Sequence, residues 1–135
     1  MIIYRFDNAD AWGTKSSSIE IEKNPNQAKT SIRRYGEITE ETFPISDALI
    51  SEIEKIVNKA SKVYNGEFVL EHSDALDGNT STFFLNSGED TAEIRGANLW
   101  AFERRPKNVK YLLKRHEKIR DLLLEIGIDE SFFQV

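Results

Sequence analysis

The chain has 135 residues, of which 39% are hydrophobic and 30% charged, with seven Gly, three Pro and no Cys. That is the balance of one soluble globular domain spanning 1–135 rather than of a multi-domain assembly, and a chain of this length buries roughly two-thirds of its unfolded surface without needing disulfides or a structural metal. The missing Cys excludes thiolate catalysis, Cys-based zinc sites, iron–sulfur clusters and any disulfide framework. Arg5 and Asp7 interrupt the N-terminal apolar run, and no window reaches the length of about 18 apolar residues that a spanning helix needs. The expectation is a cytoplasmic protein with no signal peptide and no membrane association.

In chain order, Ile2, Ile3, Tyr4 and Phe6 form a short apolar run that stops at the turn-prone Asp7-Asn8. Ser18-Ile19-Glu20-Ile21-Glu22 then alternates at the period of a half-buried strand, which puts Ile19 and Ile21 inward. Asn24-Pro25-Asn26 is a turn signal, so a returning strand is expected around Thr30 to Ile38.

After Pro44, Ser46 is suited to cap a helix, and Asp47 in the first turn complements the positive end of its dipole. Leu49, Ile50, Ile53, Ile56, Val57, Ala60, Val63 and Tyr64 recur at spacings of three and four, with Glu and Lys between them. Asn65-Gly66 is expected to close this helix in a left-handed C-cap.

Residues 67–72 and 80–85 read as strands separated by a loop containing Asp77-Gly78. Residues 86–90 then form a hairpin connection into Thr91–Arg95. The passage from Asn98 to Glu103 leans towards a further strand. A second helix is expected from near Pro106 to about Ile126, ahead of Gly127, with Val109, Leu112, Leu113, His116, Ile119, Leu123 and Ile126 as its apolar stripe. Phe132-Phe133 should dock on the core, because an exposed Phe pair would promote aggregation. Short strands joined by turns, together with two long amphipathic helices, predict an α+β fold: an antiparallel sheet of about five to seven strands with both helices packed on one face.

The net charge of −5 conceals an asymmetry. Between Arg104 and Arg120 stand eight basic residues, namely Arg104, Arg105, Lys107, Lys110, Lys114, Arg115, Lys118 and Arg120, against Glu117 alone. One reading is a nucleic-acid contact through Arg104, Arg105, Lys107, Lys110, Lys114 and Lys118, with Trp100, Phe102 and Tyr111 as stacking groups. The plainer reading is a basic helix face that balances acidic neighbours, since nucleic-acid-binding domains are usually basic throughout. The acidic remainder concentrates in three clusters placed in loops or element ends: Glu37, Glu40 and Glu41; Asp74 and Asp77; Glu89 and Asp90. Such clusters suit a basic protein partner, and they also serve plain solubility.

Catalytic signatures are weak. His72 and His116 both sit on apolar faces, as packed histidines do. His72-Ser73-Asp74 has the residue types of a hydrolase triad, yet neighbours along a strand point to opposite faces. With Gly78 as sixth position, a calcium loop would lack its carboxylates at positions one, three and twelve. The seven glycines form no phosphate-binding loop. Trp12 and Trp100 read as core or edge anchors.

No cofactor, metal site or catalytic residue is assigned. The sequence therefore favours a non-catalytic protein that acts by binding another protein, as a regulator, an inhibitor, an immunity- or antitoxin-like protein, or by self-association. The acidic residues Glu40, Glu41, Asp74, Asp77, Glu89 and Asp90 are the contact candidates, and nucleic-acid association through the basic helix is the alternative.

Overall fold

A computed structural model describes residues 1–10, 13–70, 80–97 and 106–133. Seven strands are assigned: β1 (Ile2–Ala9), β2 (Lys15–Glu22), β3 (Gln27–Arg34), β4 (Glu37–Pro44), β5 (Gly66–Leu70), β6 (Thr80–Asn86) and β7 (Thr91–Ala97). The helices are α1 (Asp47–Val63) and α2 (Lys107–Glu125), followed by a short 3-10 turn at Glu130–Phe133. The strands form one sheet in the order β4-β3-β2-β1-β6-β7-β5. Every neighbouring pair is antiparallel except β5 and β7, which run parallel. The fold is thus α+β, with a mostly antiparallel sheet against which the helices pack.

Alternation along the strands sends one set of side chains to the helices. Tyr4, Phe6, Ile19, Ile21, Phe83, Leu85, Ala92 and Ile94 are all fully buried, and cross-strand pairs such as Phe6 with Phe83 and Ile19 stack them in register. Opposite them lie Leu49, Ile50, Ile53, Val57 and Ala60 of α1 and Val109, Leu112, Leu113, Ile119 and Leu123 of α2. Burial of each large aliphatic or aromatic side chain contributes about 1.5–3 kcal/mol. Phe132 and Phe133 close the core, as the tail was expected to.

Local signals place the helices. The Leu49 amide donates to Ser46 Oγ at 3.2 Å, the N-cap expected of that serine. At the other end, α1 stops at Tyr64, which is not left-handed, and Gly66, with φ +110°, already begins β5. Gly66 therefore uses its positive φ to enter a strand rather than to cap the helix as expected. Pro106 precedes α2, and Gly127 (φ +97°) follows it closely.

Two features depart from the sequence reading. The returning strand expected over Thr30 to Ile38 is two strands, β3 and β4, joined by a two-residue turn at Tyr35-Gly36 with φ of +51° and +85°. Both angles are positive, as a type I′ hairpin turn requires. The sheet also includes a parallel pair, because α1 carries the chain from one sheet edge to the other before β5. The strand proposed for Asn98 to Glu103 lies outside the described residues.

Candidate functional site

Helix cover ends before the sheet does. α1 packs on β1, β6 and β7, and the 3-10 turn packs on β1 and β2; β3 still buries Ala28 and Thr30, whereas β4 is almost entirely open. In β4 only Phe43 is partly buried, while Glu37, Ile38, Thr39, Glu40, Glu41, Thr42 and Pro44 are exposed. β4 bonds to β3 on one side and forms the sheet edge on the other.

Hairpin geometry fixes what that edge presents. Arg34 and Glu37 flank the two-residue turn, and Ile45 N–H donates to the Asn26 carbonyl at 3.1 Å at the far end of the pair. In an antiparallel ladder the hydrogen-bonded pairs alternate, so Glu37, Thr39, Glu41 and Phe43 direct their backbone groups to β3. Ile38, Glu40, Thr42 and Pro44 direct theirs outward. Pro44, which has no N–H, sits at an outward position where no ladder bond is lost. By the same alternation, Glu37 and Glu41 lie on the helix-bearing face and Glu40 on the open face.

These three carboxylates differ from their neighbours in the sheet. Glu20 pairs with Arg5 at 3.2 Å, Glu22 with Lys29 at 3.2 Å, and Glu93 with Arg95 at 3.3 Å. Glu37, Glu40 and Glu41 make no ion pair or hydrogen bond to any other described side chain. The compensating cations Lys29, Arg33 and Arg34 stand one strand further in, on β3. Beside the turn, Tyr35 is 76% exposed and Ile38 is 59% exposed.

The acidic clusters do not converge. Glu40 and Glu41, expected in a loop or element end, belong to a strand. Glu89 and Asp90 occupy the β6–β7 turn, on strands separated from β4 by β3, β2 and β1. Asp74 and Asp77 lie outside the described residues, as do His72, Trp12, Trp100 and Phe102. Among the basic candidates, Lys107, Lys114 and Lys118 are exposed and Lys110 is half-buried. Spacings of three and four residues put all four on one side of α2. Arg104 and Arg105 lie outside the described residues. Arg115 folds back over the Tyr111 ring at 4.6 Å, and Arg120 bonds to Asp121 at 3.2 Å.

His116 is a core group. It is fully buried, shares a 2.9 Å hydrogen bond between its Nδ1 and the Tyr4 hydroxyl, and stacks on Phe6 and Phe83 at 4.6 and 5.0 Å. Burial, reinforced by the nearby Arg120 charge, lowers its pKa to about 3, so it is neutral at physiological pH. Burial likewise raises the Tyr4 pKa well above its ordinary value.

A polar groove of about 490 Å³ opens at the turn end of β1, β2 and β3, lined in part by Asn8, Lys15, Arg34 and Ser131. Asp10 also lines it, beside the cations Lys15, Arg33 and Arg34. The Asp10 carboxylate accepts bonds from the Thr14 hydroxyl and from the Thr14 and Lys15 amides, which hold its pKa below the usual carboxylate value. Among the described residues, no group of three His, Asp or Glu side chains is placed to hold a metal ion, and no helix is long and apolar enough to cross a membrane.

Sequence reasoning picked out Glu40 and Glu41 by charge and missed the feature that makes them available, the uncovered edge. Gly36 and the β-branched Ile38, Thr39 and Thr42 were the local signals for it. No protein-family model and no curated protein sequence matches this chain.

Proposed function

We propose that the protein is a non-catalytic binding module that engages a basic protein partner along the outer edge of its sheet, with Glu37, Glu40 and Glu41 of β4 as the contact charges. The observation that carries this reading is an eight-residue edge strand, exposed at every position but Phe43, whose three carboxylates have no cationic partner among the described residues. Forming an ion pair with an incoming cation there breaks no existing one, whereas Glu20, Glu22 and Glu93 would each have to give up a partner. Tyr35 and Ile38 add exposed aromatic and aliphatic area of the kind that anchors interfaces. A regulator or inhibitor of a basic protein fits this surface, since complementary charge accelerates association and discriminates partners.

The test uses the tagged protein as bait in lysate of its source organism. Capture of a basic protein that is lost with Glu37→Lys, Glu40→Lys and Glu41→Lys combined, and retained with Glu89→Lys and Asp90→Lys combined, supports the β4 surface. The reverse pattern moves the contact to the β6–β7 turn.

One observation favours a second reading, an anionic partner on the helix layer. α1 presents exposed Lys55, Lys59 and Lys62, and α1 meets α2 through Tyr64 and Tyr111, whose rings are 5.3 Å apart. Both helices thus carry exposed lysines. Nucleic-acid binding through the helix layer would weaken steeply with salt and would be lost on Lys110→Glu, Lys114→Glu and Lys118→Glu.

A further inference from the structure

We infer that the partner docks by strand addition, with an extended basic segment of another protein pairing its backbone to the free side of β4. This inference rests on the reading of β4 as the contact surface and specifies how that surface is used. Three observations carry it. First, the outward N–H groups of Ile38, Glu40 and Thr42, and the outward carbonyls of these residues and Pro44, form a ladder edge eight residues long that no described strand pairs, and an edge of this kind is a template for another strand. Second, the turn at Tyr35-Gly36 and the Ile45–Asn26 bond hold both ends of β4 to β3. The edge is therefore ordered before a partner arrives, which lowers the entropic cost of pairing.

Third, charge selects the occupant. An added strand lies about 4.8 Å from β4 and about 9.6 Å from β3, so it meets the three carboxylates at close range and the β3 cations only at roughly a Debye length in physiological salt. A second copy pairing β4 to β4 would bring six carboxylates into two adjacent strands, and like charges opposed across a ladder destabilise it. A segment with Lys or Arg at alternate positions instead sets its cations beside Glu37 and Glu41 on one face, or beside Glu40 on the other. The carboxylates that repel a second copy thus favour a basic strand.

The test uses the full chain and a capped decapeptide of alternating Thr and Lys, with two controls: the Thr and Glu counterpart, and the Thr and Lys peptide N-methylated at alternate backbone nitrogens. Glu40→Pro removes an outward N–H while leaving the bonds to β3, so it should fold with an unchanged circular dichroism spectrum. Strand addition predicts binding of the Thr and Lys peptide by the wild-type chain, none of the Thr and Glu peptide, and at least a tenfold loss with Glu40→Pro or with the N-methylated peptide. Binding that survives both backbone changes but disappears with Glu37→Lys, Glu40→Lys and Glu41→Lys overturns strand addition and leaves the acidic-surface reading standing. Binding that survives the charge reversals overturns both. If the wild-type chain does not bind the peptide, strand addition is overturned. So is the choice of a basic partner if the chain is a dimer that Glu40→Pro dissociates.

Discussion

The centre of the sheet and its β4 edge carry similar lengths of strand in opposite environments. Where β1 and β6 pair, the helix-facing side chains Phe6 and Phe83 sit at zero exposure beneath His116. In β4, Glu37, Thr39 and Glu41 occupy the same face three strands away and are open to water. The backbone pattern is the same in both places, and the difference is the cover. α1 and α2 supply enough apolar surface for the strands near β1, and the composition of each strand follows that supply: aromatic and aliphatic under the helices, Glu and Thr beyond them. Stability therefore resides around β1 and β6, while β4 can exchange side chains at small cost and is available for contact.

The largest effects are expected at the covered centre. Phe83→Ala should cost about 3–5 kcal/mol, read as a shift of the urea midpoint, because its cavity is walled by Phe6, His116 and the helices. A loss under 1 kcal/mol would show that this region is loosely packed. The His116 pKa of about 3 makes the same region acid-sensitive. This pKa is depressed relative to the unfolded chain, so below pH 6.5 the unfolded state takes up a proton that the folded state refuses. The stabilisation is complete above that pH and falls by about 1.4 kcal/mol per unit between pH 6.5 and 3. Replacing His116 by Leu should flatten this part of the stability profile, whatever its effect on stability at neutral pH.

At the uncovered end the same experiments should give small responses. Combined Glu37→Lys, Glu40→Lys and Glu41→Lys should alter stability by less than about 1 kcal/mol while reducing partner affinity at least tenfold. Tyr35 holds φ +51°, a conformation that costs most side chains about 1–2 kcal/mol and Asn less. Tyr35→Asn should thus stabilise the fold by up to about 1 kcal/mol and, by removing an exposed aromatic, weaken partner binding. Unchanged stability would show that the turn relaxes without cost.

The same division explains which parts of the fold were legible in the sequence. Leu49 to Ala60 and Val109 to Leu123 announce α1 and α2 because one side of each helix is buried, and burial imposes the 3.6-residue period. Ile19 and Ile21 reveal β2 for the equivalent reason. β4 has no buried face to impose alternation, so Glu-Ile-Thr-Glu-Glu-Thr gives no period, and the turn that begins it uses Tyr35 in a conformation where Asn or Gly would have been the signal. The parallel pairing of β5 with β7 follows from where α1 delivers the chain, which no local pattern encodes. Glu40 and Glu41 were visible as charges, but their isolation from cations is a tertiary property, because it depends on which strands flank β4.

Residue-resolved amide hydrogen exchange, on the protein alone and with the Thr and Lys decapeptide, tests the use of the β4 edge most directly. In the free protein Thr39, Glu41 and Phe43 should exchange slowly and Ile38, Glu40 and Thr42 rapidly, and the peptide should slow only the second set. Protection appearing instead at Glu89 and Asp90 or along α2, with Ile38, Glu40 and Thr42 unchanged, would contradict the account.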